Sequence, residues 1–161
     1  MENHPTVGRA QQMRWRIPAI LAVAVMGCGG PNIEARREQE LQEAELAFRS
    51  NVAAIHRRDA EGYIAHYLDS PELVIAGADS LRRGFLAFAE ARRASTEWPD
   101  TLIAGNPTVV WLAPGVVYGA YPYTVVQDGD TASGWSERVL VKTGGAWKVA
   151  VTSRIDRCRC D

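Results

Sequence analysis

Two textures divide this chain, and together they predict an α+β fold. Between residues 37 and 93, apolar side chains recur at three- and four-residue steps, the spacing of amphipathic helices. From Thr101 onward the chain turns to β-branched and aromatic runs separated by three tight turns, the pattern of an antiparallel meander. Helices first and a long meander afterward describe a cone-shaped, curved antiparallel sheet with about three N-terminal helices covering its concave face. Such a bowl leaves a hollow beneath its roof, and hollows are where small molecules bind.

A leader precedes these elements. Arg9, Arg14 and Arg16 form a basic region, and residues 17–26 form an uncharged apolar run. That run is too short for a bilayer span, which takes about 20 residues. A basic flank, a short apolar core and small residues before a cut make a secretory signal. The stretch Val25-Met26-Gly27-Cys28 resembles the lipobox of bacterial lipoproteins. The resemblance implies that residues 1–27 are a signal peptide and that Cys28 carries the lipid. Cys28 would then anchor the chain to a membrane in the cell envelope. Gly29 stands where inner-membrane retention uses aspartate, which points to the outer membrane, facing the periplasm.

Without the leader, 134 residues remain, enough for one domain with a real core. Three arginines and one glutamate leave with it, so the formal charge moves from −1 to −3. No basic block survives that could neutralise a phosphate backbone, so nucleic acid is excluded as a partner. Cys158 and Cys160 stand one residue apart, near the upper limit of disulfide reach, and two thiols are too few for a structural zinc site. Residues 156–161 read as a tail with a labile or intermolecular disulfide.

Residues 28–36 are small, polar and broken by Pro31, a tether. The domain follows over residues 37–155. In the first helix Leu41, Ala44, Phe48, Asn51, Val52 and Ile55 share the inner stripe, while Glu38, Gln42, Glu45 and Arg49 face water. Asp59 has the character of an N-cap, opening a short second helix that runs through Asp69 and carries Tyr63, His66 and Tyr67. Ser70-Pro71 stops it. Residues 73–76 form a short strand, and a third helix spans residues 84–93, with Phe85, Phe88 and Ala89 on one side. Asn106-Pro107 bends the chain into the meander, whose strands cover residues 108–112, 116–126, 133–142 and 147–154.

The order of these elements and several local motifs resemble the nuclear-transport-factor-2-like superfamily, which includes ketosteroid isomerases and SnoaL-type cyclases. The motifs are Asn51-Val-Ala-Ala-Ile-His-Arg-Arg-Asp59, Gly62-Tyr-Ile-Ala-His-Tyr67, Val117-Tyr-Gly119-Ala-Tyr121 and Gly145-Ala-Trp147-Lys-Val149. The pattern is closest to the uncharacterised branch of that group. The resemblance implies a cavity-bearing domain, often dimeric. In ketosteroid isomerases a first-helix tyrosine holds the enolate oxygen, a first-strand aspartate is the base, and a protonated late-strand aspartic acid completes the oxyanion site. The matching positions here are Asn51, Ile75 or Ala76, and Glu137. Only the last is preserved in kind, so steroid isomerisation is not expected.

Glu137 and His66 are the candidate catalytic residues. A carboxyl in an apolar cavity gains a raised pKa, and a histidine transfers protons near neutral pH. Two strand registers are open: Glu137 inward with Val139 and Val141, or Arg138 inward and Glu137 in water. Asn51, Tyr63, Tyr67, Trp98, Tyr121 and Tyr123 are the candidate ligand-binding residues. No phosphate-cradling glycine loop, metal-spaced histidine cluster or Gly-x-Ser-x-Gly elbow occurs, so neither metal nor cofactor is expected. The functional expectation is a lipid-anchored domain that binds a small, mostly apolar ligand or a protein partner. The alternatives are an acid/base isomerase, cyclase or hydratase using Glu137 and His66, and a homodimeric scaffold with an apolar outer sheet face carrying Trp111 or Trp135.

Overall fold

The structure is a computed structural model that describes residues 32–77 and 80–156. The leader, Cys28, Cys158 and Cys160 lie outside the described residues.

Helix α1 spans Ile33–His56. It starts earlier than expected, so residues 33–36, assigned to the tether, are helical. The reason is local: the side chain of Asn32 accepts a hydrogen bond from the Glu34 N–H at 3.1 Å and caps the first turn. Its buried stripe is Glu40, Ala44, Phe48, Asn51 and Ala54. Arg58, at φ 55°, turns the chain into α2, Ala60–Ile64, whose cap Asp59 accepts from the Gly62 N–H at 2.8 Å.

Helix α2 stops five residues short of the expected Asp69. Two backbone hydrogen bonds explain this. The carbonyl of His66 accepts from the Val149 N–H at 2.8 Å, and the Val149 carbonyl accepts from the Leu68 N–H at 2.9 Å. Tyr67 is thereby held in a parallel bridge with Val149, and its neighbours cannot continue a helical ladder. Next come β1 (Val74–Ala76), β2 (Leu81–Arg83) and α3 (Phe85–Ala94), the last opened by Gly84 at φ 93°, a conformation glycine adopts freely.

Strands β3 (Thr101–Ala104), β4 (Thr108–Ala113), β5 (Val116–Gln127), β6 (Asp130–Thr143) and β7 (Ala146–Asp156) complete the domain. The sheet order is β2-β1-β7-β6-β5-β3, and β4 also pairs with β5. One expectation needs correction: the sheet is mixed, because β1 runs parallel to β7. The long strand β5 serves two partners on one edge, β4 along its first half and β3 along its second. Asn106-Pro107 occupies the break between them. Register shifts between Val139 and Leu140, where Ala150 is the extra residue of β7, bend the sheet.

Helix α1 crosses β3, β4, β5 and β7. One core packs Phe48 and Ala44 against Val117, Tyr121, Leu140 and Trp147; a second packs Tyr67, Leu73 and Val149 with Phe85 and Phe88. Glu40 anchors the first core. Its carboxylate accepts from the Trp111 indole at 2.7 Å, the Gly115 N–H at 2.9 Å and Arg36 at 2.9 Å. Burial acts to raise its pKa, but those three hydrogen bonds outweigh it and hold the carboxyl below its usual value.

Candidate functional site

Alternation decides which side chains reach the concave side. Along β5, Gly119 pairs with Arg138 and Tyr121 with Ser136, so these four share a face. Glu137 has the opposite parity. It pairs with Ala120 and Ser153 and accepts from the Tyr118 hydroxyl at 2.7 Å and the Ser153 hydroxyl at 3.0 Å. Of the two registers open to the sequence, the structure adopts the one with Arg138 inward. Arg138 wins because Asn51 of α1 offers its Oδ1, which accepts from Nη1 at 2.5 Å, and because the Phe48 ring lies 4.7 Å from the guanidinium.

A cavity of about 480 Å³ opens over this face. Its walls come from α1 (Ile55), α2 (Tyr63), the strands (Tyr121, Tyr123, Arg138) and the segment at Trp98. Tyr63 meets Trp98 edge-on, with ring centres 6.1 Å apart. The guanidinium of Arg92 stacks over Trp98 at 4.0 Å, and its Nη2 donates to the carbonyls of Ser95 and Glu97. That clamp sets the outer wall.

The six candidate ligand residues divide by depth. Tyr63, Trp98, Tyr121 and Tyr123 line the cavity. Asn51 and Tyr67 stand behind it, each bonded to a lining residue: Asn51 to Arg138, and Tyr67 to Tyr63 through hydroxyls 2.5 Å apart. Burial, and then the neighbouring Tyr63, push the Tyr67 phenol up, so it stays protonated. Tyr123 donates to Asp156; burial and that bond raise its pKa as well.

The two candidate catalytic residues are not brought together. His66 follows α2, and its Nε2 lies 3.2 Å from the Ser50 hydroxyl. Burial, helped by the charges of Lys148, Arg138 and Arg57, lowers its pKa and keeps the ring neutral. Neither His66 nor Glu137 lines the cavity. Trp111, a candidate for the outer face, points inward to Glu40, whereas Trp135 is exposed on the outer face. Among the described residues, no cluster of three histidines, cysteines or acids could hold a metal ion.

Sequence reasoning held Arg138 open as an inward residue but named none of the arginines as a site residue. Arg82, Arg92, Arg138 and Arg154 all line the cavity. The available signal was Arg138, a guanidinium in the middle of a β-branched strand.

Solved structures share this fold. One is a nuclear-transport-factor-2-like protein of unknown function from Shewanella oneidensis, with a TM-score of 0.62 and 15% identity over 70% of this chain and 96% of that one. A ketosteroid isomerase-like protein from Erwinia carotovora atroseptica has a TM-score of 0.59 and 24% identity over 73% and 97% of the two chains. The fold is the nuclear-transport-factor-2-like cone. A superfamily protein of that name from Salmonella enterica serovar Typhimurium gives a TM-score of 0.62 and 17% identity over 77% and 95%. No protein-family profile and no curated protein matches the sequence. The cone fold hosts many unrelated chemistries, so function rests on the site.

Proposed function

We propose that the protein is a lipid-anchored envelope domain that binds a small molecule in the hollow of its cone. The observation that carries this reading is the cavity of about 480 Å³ walled by Tyr63, Trp98, Tyr121 and Tyr123. Its size falls within the range of small-molecule sites, about 300–1,000 Å³. Rigid aromatic walls suit a flat apolar body at low entropic cost. Binding is favoured over acid/base turnover because neither Glu137, engaged by Tyr118 and Ser153, nor His66, engaged by Ser50, lines the cavity. The test is native mass spectrometry of the full protein extracted from its own envelope in non-ionic detergent. A retained small molecule, lost from Trp98→Ala, is expected; a ligand-free protein that also takes up no added aromatic compound would end the reading.

The anchor belongs to the same proposal. Cys28 follows an apolar leader with the lipobox pattern, so the intact mass should show residues 1–27 removed and Cys28 acylated. An uncut chain with a free thiol at Cys28 would remove the envelope placement.

A second reading concerns the outer sheet face. Trp135 and Ile155 are cross-strand partners, 40% and 53% exposed, and Ile103 and Val110 are exposed on the same side. Exposed apolar side chains on one sheet face suit contact with a second copy of the chain.

A further inference from the structure

We infer that the cavity takes a small organic anion, a carboxylate carried on a flat apolar body, with Arg138 as its counter-charge. This rests on the small-molecule reading above and names the ligand's chemistry.

Arg138 is 3% exposed, lines the cavity and takes part in no ion pair among the described residues. Its hydrogen-bond partners are neutral: Asn51 Oδ1 at 2.5 Å and the Tyr121 hydroxyl at 3.4 Å, while Nε has none. Phe48 and Tyr121 present ring faces to it at 4.7 and 5.4 Å. Burying an ion without its opposite is costly. A buried lysine could shed its proton to escape that cost; a guanidinium cannot. The charge therefore persists, and an anion in the cavity is what would complete it.

The surroundings have the same sign. Arg82, Arg92 and Arg154 also line the cavity, and no described aspartate or glutamate does. A cleft of one sign with low-dielectric walls concentrates ions of the other. The depth of these charges favours one planar oxyanion over a dianionic phosphoryl group. Arg154 is paired with Asp156 at 3.2 Å, and Arg92 gives its Nη2 to two carbonyls. Arg82 is exposed and Arg92 only half-buried, so Arg138 is the one buried guanidinium in the lining without a counter-ion, and its geometry matches a carboxylate. The rings of Tyr63, Trp98, Tyr121 and Tyr123 would hold the body.

Calorimetry on the full-length protein in non-ionic detergent, with naphthoate, naphthamide and naphthyl phosphate as probes, tests this. Naphthoate should bind at least about tenfold more tightly than naphthamide, the ratio expected for a hydrogen bond to a charged group. Arg138→Met should abolish that preference, and the naphthamide binding that remains reports an intact cavity. Arg138→Lys keeps the charge without the planar fork and should retain part of it. Equal binding of acid and amide overturns the inference and leaves the cavity reading standing, whereas no binding by any probe removes both. Tightest binding by the phosphate overturns the carboxylate assignment, and a preference that survives Arg138→Met overturns the role of Arg138.

Discussion

The indole N–H of Trp111 donates to the buried carboxylate of Glu40 at 2.7 Å, joining helix α1 to strand β4 across 71 residues of sequence. The same carboxylate takes the Gly115 N–H, so one acid fixes both a strand and its turn. Glu40→Ala strands two part-buried donors and should cost about 1–3 kcal/mol in urea unfolding. A loss below about 0.5 kcal/mol would mean the contact is only incidental.

Acid stability should depend on Glu43. Its hydrogen bonds from Lys142 and then Trp147 hold its pKa near about 2, down from 4.5. A depressed carboxyl pKa stabilises the fold above the unfolded value, and that contribution is lost as pH falls from 4.5 toward about 2. Glu40, also lowered, adds to the same window. The melting temperature of Glu43→Gln should therefore fall less than wild type between about pH 6 and pH 3. Equal falls would refute this assignment.

Gly119 marks a close approach. A Cβ there would lie 2.5 and 2.9 Å from two ring carbons of Phe48. That ring cannot yield easily, since it is boxed by Tyr121 edge-on at 5.3 Å and by the Arg138 guanidinium. Gly119→Ala should destabilise by about 1–3 kcal/mol through overpacking. Wild-type stability in the variant would show that the helix shifts freely.

Glu137→Gln is expected to leave ligand affinity within about twofold of wild type and to cost at most about 1 kcal/mol. The carboxylate bonds Tyr118 and Ser153 and does not line the cavity. A large loss of affinity by calorimetry would return it to the list of site residues.

The exposed Trp135 tests self-association. If the outer face pairs two copies, sedimentation should show a dimer, and Trp135→Glu should shift it to monomer by placing a charge in an apolar contact. A wild-type monomer at about millimolar concentration would dismiss the idea.

Much of the fold was legible because local rules carry it. Phe48 and Ala44 recur at helical spacing, Asp59 is a cap residue in a cap position, and Pro114-Gly115 can hardly be anything but a turn. The four cavity-lining aromatics could be named for a similar reason: large rings on the strands, short helices and connections of an α+β bowl face its hollow or its core. What stayed hidden was parity and partnership. Glu137 and Arg138 are adjacent on one strand, and a period of two allows either to face inward. The choice lay with Asn51, 87 residues away, whose amide oxygen accepts from the guanidinium. Burial of Glu40 was equally illegible, since its partners Trp111 and Gly115 come from the far side of the chain. Helix two was read too long for the same kind of reason: the hydrogen bonds that end it belong to Val149. Periodicity and turn chemistry act between near neighbours, so they specify elements and their order. Which charge is buried, and what a cavity will hold, depends on atoms that only folding brings within about 3 Å of each other.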